Sequence, residues 1–126
     1  MEIIRELRDA SNAPIVDMDA SWTSKTYPMG DNLHLCIHLF WDNVAPIGTV
    51  ILEYSGDPEA AVAAAAGDTQ DEAVNWVAKD ATIVDGSYSD LMYLDSNLPV
   101  ACFRLRFVHV SGSANLQAFI VRKRGR

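Results

Sequence analysis

Two stretches of this sequence carry apolar side chains at alternate positions, and this pattern constrains the fold most. Residues 33–41 carry leucine, isoleucine or tryptophan at every odd position. The odd positions of residues 101–110 carry alanine, phenylalanine, leucine, phenylalanine and histidine, and Arg104 and Arg106 lie between them. Successive side chains of a β-strand point to opposite faces, so each stretch predicts a strand with one face in a core.

Further strands are expected along the chain, separated by turn residues every 8–12 positions. They are predicted at residues 1–9, 13–20, 47–54, 72–77, 81–84, 88–95 and 116–123. We expect one antiparallel hairpin of 33–41 with 47–54, and a second of 101–110 with 116–123. Because the strands do not alternate with long helices, the fold class is all-β, an antiparallel two-sheet β-sandwich.

The alanine-rich residues 58–66 interrupt this β pattern. Asp57 can cap a helix start, Pro58 suits the first helical position, and Glu59 complements the helix dipole. Gly67 can end the turn in a left-handed conformation. The pattern predicts one short Ala-rich helical insertion, and a flexible loop is the alternative because so short a helix is marginal alone.

Length and composition favour a single domain over residues 1–126, since 126 residues can bury a core without a disulfide or metal. The two cysteines lie far apart without zinc-type spacing, which indicates reduced thiols in a protein made in the cytoplasm. The first residues include acids where a secretory signal needs basic ones. The longest nearly apolar stretch, 32–52, contains Asp, Pro and Gly, so no membrane span is predicted.

The charges are unevenly distributed. The chain has 10 basic and 17 acidic side chains and a net charge of −7, which argues against nucleic-acid binding through a basic face. Residues 122–126 form a basic C-terminal tail with Arg122, Lys123, Arg124 and Arg126. The tail is either a solubilising end or a contact for an acidic partner or neighbouring subunit.

Two other groups are candidates for contact with a partner. Ile3, Ile4 and Leu7 form an apolar stripe in residues 1–12, which either pack on their own sandwich or act as an N-terminal arm. Arg104 and Arg106 share the polar face of their strand, where they either pair with acids of this chain or contact another subunit. The predicted oligomer or capsid contacts are Ile3, Ile4, Leu7, Arg104, Arg106, Arg122, Lys123, Arg124 and Arg126.

No pattern of residues predicts catalysis, a cofactor or a metal. His34, Cys36 and His38 project from one strand face and have the chemistry of zinc or copper ligands. Neighbouring side chains on such a face are about 6.5–7 Å apart at their roots, so three rarely converge on one ion. We expect this face to be half-buried or to meet a neighbouring subunit. There is no GxSxG elbow, calcium loop or Gly-rich phosphate loop, so the chain is not predicted to be an enzyme.

One resemblance goes further than these patterns. Residues 48–57, GTVILEYSGD, resemble a glycine-threonine, strand, serine-x-aspartate segment of small virion proteins of tailed phages. Trp76 follows after a variable loop, as a tryptophan commonly does in those proteins. The ending also resembles theirs, with FRLRF at 103–107, SGS at 111–113 and a last strand at 116–123.

The resemblance covers about residues 33–57 and 76–124 and implies a jelly-roll sandwich with a structural function in a virion. It implies a capsid decoration or cement protein, made in the cytoplasm of a host bacterium and placed on the capsid exterior. Such proteins are often homotrimers that bind the major capsid protein and stabilise the shell by bridging subunits, without catalytic residues, cofactor, nucleic acid or membrane.

Two alternatives stay open at this point. One is a tail, fibre or spike-associated virion protein of the same fold. The other is a carbohydrate-binding sandwich, in which exposed aromatic rings stack on a surface glycan. The aromatic residues available for such stacking are Trp22, Tyr27, Trp41, Trp76, Tyr88 and Tyr93.

Overall fold

The computed structural model describes residues 2–56, 76–96 and 100–124. Within these ranges the chain forms β-strands joined by turns and bridges. The strands are β1 (Glu2–Ile4), β2 (Trp22–Thr23), β3 (Tyr27–Pro28), β4 (Asn32–Trp41), β5 (Ile47–Ser55), β6 (Val77–Asp85), β7 (Asp90–Asp95), β8 (Cys102–Ser111) and β9 (Leu116–Arg124). Both strands predicted from alternation, β4 and β8, are confirmed, as are those at β5, β7 and β9.

The strands form two antiparallel sheets, which confirms the predicted two-sheet sandwich. One sheet has the order β1-β9-β4-β7. The other has the order β2-β8-β5-β6, and β3 also pairs with β8, at Phe103 and Cys102, where β2 does not reach. Among the described residues there is no helix.

The pairing of the strands is nested. β1 pairs with β9, β2 and β3 pair with β8, β4 pairs with β7, and β5 pairs with β6. The chain is therefore folded double, so that its early strands pair with its late ones, and the doubled ribbon is wound into two sheets. Two packed sheets with this connectivity, in which β2 and β3 both pair with β8, make a jelly roll.

Both predicted hairpins are wrong. β4 pairs with β7 and β9, whereas β5 pairs with β6 and β8, so the turn between β4 and β5 crosses from one sheet to the other. The turn between β8 and β9 crosses in the same way. Alternation determines which side chains of a strand face the core, but it does not determine which strand lies alongside.

The strand predicted at residues 13–20 is also absent. This segment makes only isolated bridges, in which Pro14 pairs with Arg8 and Asp17 pairs with Asn115. Pro14 has no N–H to donate to a ladder, which prevents continuous pairing there. Ile15 and Met18 are buried, so the segment is fixed to the core as an irregular connection.

The predicted helical insertion at 58–66 lies outside the described residues. Residues 72–75 of the strand predicted at 72–77 also lie outside the described residues. The last residue of that predicted strand, Val77, is the first residue of β6.

The core lies between the two sheets and is built from the alternating positions. β4 contributes Leu35, Ile37 and Leu39, and β8 contributes Phe103, Leu105 and Phe107, all at most 3% exposed. The Tyr27 ring stacks on Phe103 with ring centroids 5.3 Å apart. Complete burial of each large apolar side chain stabilises the fold by about 1.5–3 kcal/mol.

The connections that cross between the sheets pack against each other at one end of the sandwich. The Asp42 carboxylate accepts hydrogen bonds from the backbone N (2.9 Å) and Nδ2 (2.8 Å) of Asn115. These bonds hold the pKa of Asp42 below its ordinary value. Gly112 has a φ of +79°, and a Cβ there would lie 2.1 Å from the carbonyl oxygen of Ala45. The two connections therefore approach more closely than a side chain at Gly112 permits.

This close approach gives a test of the crossover geometry. Gly112→Ala is expected to lower the free energy of unfolding by about 3 kcal/mol, since it combines left-handed backbone strain with overpacking. Gly30→Ala is the matched control, because Gly30 also has a positive φ (+57°) but a Cβ added there would have no other atom within 4 Å. Gly30→Ala is expected to lower the free energy of unfolding by only about 1 kcal/mol. Urea unfolding measures both, and equal losses would contradict the close approach.

Candidate interaction surface

The outer face of the sheet β1-β9-β4-β7 carries a continuous row of apolar side chains. The strand register places Ile3 beside Val121, Val121 beside Cys36, and Cys36 beside Leu94. The row therefore crosses all four strands of the sheet. Ile3 is 46% exposed and Leu94 is 73% exposed, so both ends of the row are open to solvent.

A second row lies next to the first. The register aligns Phe119 with His38 and His38 with Met92, which is 52% exposed. The Phe40 ring extends this row, with its centroid 5.7 Å from that of Phe119 and 5.1 Å from that of His38. His38 Nε2 lies 3.7 Å from a carboxylate oxygen of Asp90 at the rim.

We call these two rows the apolar face. It consists of Ile3, Cys36, His38, Phe40, Met92, Leu94, Phe119 and Val121. Each side chain on one side of a sheet covers about 4.8 Å across the strands and about 6.6 Å along them, so the eight side chains cover roughly 250 Å². A contiguous exposed apolar patch of a few hundred Å² on a folded domain is often a functional surface.

Half of the apolar face was not identified from the sequence. Its missed members lie in β7 and β9, within residues 91–94 and 118–121, which are uninterrupted apolar runs. A strand that is apolar at consecutive positions has two apolar faces, and only one of them can face the core of a sandwich. These two runs are therefore the signal in the sequence that could have located the face.

His34, Cys36 and His38 lie on the outer side of β4 and are half-buried, as predicted for this face. Among residues 2–56, 76–96 and 100–124, no group of three His, Cys, Asp or Glu side chains is placed to hold a metal ion. Cys36 and His38 instead belong to the apolar face.

Arg104 and Arg106 lie on the outer side of the other sheet and pair within the chain, which is one of the two predicted alternatives. Both point at the buried carboxylate of Glu53, with Nε to Oε1 distances of 2.7 Å and 3.1 Å. The Arg104 guanidinium also lies over the Trp76 ring, 4.4 Å from its centroid. Glu53 is opposite Arg104 in the register of β5 and β8, and this pairing could not be inferred from the sequence.

The N-terminal apolar stripe is divided by the fold. Ile3 belongs to the apolar face, Ile4 is half-buried against the core, and Leu7 is 1% exposed inside the core. Because β1 pairs with β9, this segment packs on its own sandwich rather than extending as an arm.

The basic residues at the C-terminus are also divided. Arg122 is 7% exposed, pairs with Glu2 and donates to the carbonyl of Pro28. Lys123 is exposed, and Arg124 Nε lies 3.1 Å from Asp31 Oδ2. Residues 122–124 therefore complete β9 instead of forming a free tail, and Arg126 lies outside the described residues.

The aromatic residues considered for sugar stacking are mostly internal. Tyr27, Trp41 and Tyr93 are buried in the core. Trp22 and Tyr88 are partly buried and pack against it. None of these five side chains is fully exposed, so they do not form an open stacking platform.

Among the described residues, no helix is long and apolar enough to span a membrane.

Comparison with known proteins gives little sequence similarity. No protein-family model matches the chain, and no curated protein matches it significantly. Among solved structures, the chain is similar to a chain of the X-ray structure of the Triatoma virus empty capsid, with a TM-score of 0.46 and 7% sequence identity. The match covers 99% of this chain and 92% of the other. At this identity no residue's role is transferred from that capsid to this chain.

The buried carboxylate of Glu53 gives a second test. Glu53→Ala is expected to lower the free energy of unfolding by about 3 kcal/mol, because it leaves a largely buried guanidinium without this carboxylate. Asp31→Ala removes the carboxylate of the exposed pair with Arg124, whose side chains are 69% and 75% exposed. That control is expected to cost about 0.5 kcal/mol or less. Thermal and urea unfolding of both variants measure the difference, and a small loss for Glu53→Ala would contradict the pairing.

Proposed function

We propose that this chain is a structural protein of a virus particle, and specifically a capsid decoration or cement protein of a tailed phage. The observation that carries the proposal is the apolar face, an open sheet surface of roughly 250 Å² on a sandwich whose core is already complete. A partner that covers this face removes Ile3, Met92 and Leu94 from water. Burial of that area drives association without any chemical step.

The jelly-roll connectivity supports the proposal without deciding it. Jelly rolls occur in viral capsid domains, and also in lectins and cupins. Function is therefore argued from the surface rather than from the fold. None of the tryptophan and tyrosine rings considered for sugar stacking lies on the apolar face, which favours a protein partner over a glycan.

In this proposal the protein stabilises a shell mechanically. An interface of standard size buries about 800 Å² on each partner, so the apolar face would form its apolar centre and the surrounding polar side chains its rim. Many copies on the capsid exterior, each bridging neighbouring subunits of the major capsid protein, raise the barrier to rupture. A homotrimer fits such a position, because closed symmetry presents three identical surfaces to the shell. No catalytic residue or cofactor takes part.

The residues first considered as contacts have different functions in this proposal. Ile3 contacts the partner directly as part of the apolar face, and Lys123 lies at its edge, opposite His34 in the register. Ile4, Leu7 and Arg122 act indirectly, since they hold β1 against the sandwich.

A tail, fibre or spike position remains the other virion placement, and copy number separates the two. Purified particles are analysed on a gel, and the copies of this chain are counted per major capsid subunit. Copies comparable in number to the capsomers support shell decoration. A small number, as in a tail or portal structure, would overturn the capsid placement.

The contribution of the apolar face is tested with two matched substitutions. Leu94→Glu places a charge on the apolar face at a position that is 73% exposed. Ile83→Glu makes the same kind of change on the outer face of the other sheet, at 70% exposure. Leu94→Glu is expected to weaken attachment to particles at least about tenfold, while Ile83→Glu leaves attachment unchanged.

Light scattering measures the oligomeric state of each variant, and co-sedimentation with particles measures attachment. Unaltered melting temperatures show that both variants are folded. Equal effects of the two substitutions would contradict an interface on the apolar face. A wild-type monomer that fails to sediment with particles would overturn the decoration function itself.

A further inference from the structure

A cleft of about 690 Å³ opens between the edges of the two sheets. One wall is β1, which among the described strands pairs on one side only, with β9. The other wall is β3 with the preceding residues Lys25 and Thr26. Arg122 joins the walls, because it bonds to Glu2 of β1 and to the carbonyl of Pro28 in β3.

The opposite side of the sandwich is closed differently. There the Tyr93 hydroxyl of β7 lies 2.8 Å from the Thr82 hydroxyl of β6, a direct hydrogen bond between the sheets. The cleft thus lies on the open side of the jelly roll.

The cleft is basic, although the chain as a whole is acidic. Its four cations are Arg5, Arg8, Lys25 and Arg122, and its two acids are Glu2 and Glu6. Arg122 pairs with Glu2, and Arg8 Nη2 lies 2.6 Å from Glu6 Oε2.

Two cations of the cleft have no carboxylate partner among the described residues, Arg5 and Lys25. The Arg5 guanidinium lies 5.8 Å from the Phe119 ring centroid. Lys25 Nζ lies 5.4 Å from the Tyr27 centroid and 3.5 Å from Asn12 Oδ1. None of these contacts involves a carboxylate, so among the described residues both charges stay unneutralised. The cleft therefore has a net charge of about +2 on a chain of net −7.

We propose that this cleft binds an extended acidic peptide segment of a partner protein. The segment adds as a strand to the free edge of β1, and its carboxylates are bound by Arg5 and Lys25. An unpaired sheet edge offers N–H and C=O groups that an extended peptide can pair with. β3 is the poorer edge, because Pro28 has no N–H to donate. Charge-assisted hydrogen bonds to carboxylates supply the selectivity for acidic side chains.

A nucleic acid fits this cleft less well. Firm binding of a nucleic acid rests on many phosphate contacts, and the cleft offers only two unpaired cations. The net charge of −7 on the whole chain repels an extended polyanion. A short acidic peptide needs only two carboxylate contacts beside its backbone pairing. This inference goes beyond the proposed function, since it holds whether or not the chain belongs to a virion.

The test uses the full chain and a fluorescein-labelled octapeptide of alternating valine and glutamate, with binding read by fluorescence anisotropy. A valine–glutamine octapeptide is the neutral control and is expected to bind at least about tenfold more weakly. Affinity for the acidic peptide is expected to fall as salt is raised. Equal binding of both peptides, or no binding of the acidic one, would overturn the proposal.

Two double variants with the same change of charge locate the site. Arg5→Gln with Lys25→Gln is expected to reduce affinity at least about tenfold, because both carboxylate contacts are lost. Lys123→Gln with Arg124→Gln removes the same charge outside the cleft and is expected to change affinity less than about twofold. Equal losses would indicate general electrostatic attraction and overturn the assignment to this cleft.

Two further probes test the mode of binding and the class of ligand. The same acidic peptide with N-methylated amides at alternate residues cannot pair with a strand edge, and its affinity is expected to drop at least about tenfold. Undiminished binding would overturn strand addition to β1. A single-stranded oligonucleotide of eight nucleotides is expected to bind more weakly than the acidic peptide, and tighter binding would assign the cleft to nucleic acid instead.

Discussion

The closure of two apolar sheet faces on each other is the interaction on which the rest of this structure depends. The inner sides of β4 and β9 meet those of β5 and β8, and the largest buried side chains, such as Phe103 and Ile37, lie between them. Each strand alternates, so burial of the inner side chains also fixes which side chains point outward. The packing that stabilises the core therefore also positions the apolar face, and it positions Glu53 with its partners Arg104 and Arg106 on the outer side of the other sheet.

Much of the fold was predictable, because alternation is a local property of each strand. Residues 33–41 and 101–110 show which side chains face the core without reference to any other part of the chain. Strand partners are a different matter, since they depend on which turns cross between the sheets. The turns at 42–46 and 112–115 have ordinary hairpin composition and nevertheless cross. Which side of each strand must be buried determines whether such a turn crosses between the sheets, and the composition of the turn alone does not show it.

The candidate surfaces were less predictable for the same reason. Ile3 and Leu94 are far apart in sequence, and only the pairing of β1 with β9 and of β4 with β7 brings them into one row. Arg104 and Arg106 were recognisable as a pair, but their partner Glu53 depends on the register of β5 with β8. Arg122 shows the limit of composition most clearly. In the sequence it is one of several basic residues near the C-terminus. In the structure it is buried and joins the edges of the two sheets.

The nested pairing of the strands also has a consequence for the order of events during synthesis. β1 leaves the ribosome before the other described strands, and its partner β9 is the last of them, so β1 stays unpaired until all of them have been made. Pairings between distant segments carry a larger loop-closure cost than local pairings and form more slowly. Until β9 arrives, Leu7 and the free edges of the early strands are open to other chains, and such surfaces promote aggregation. The innermost pair, β5 with β6, is the first that the emerging chain can complete.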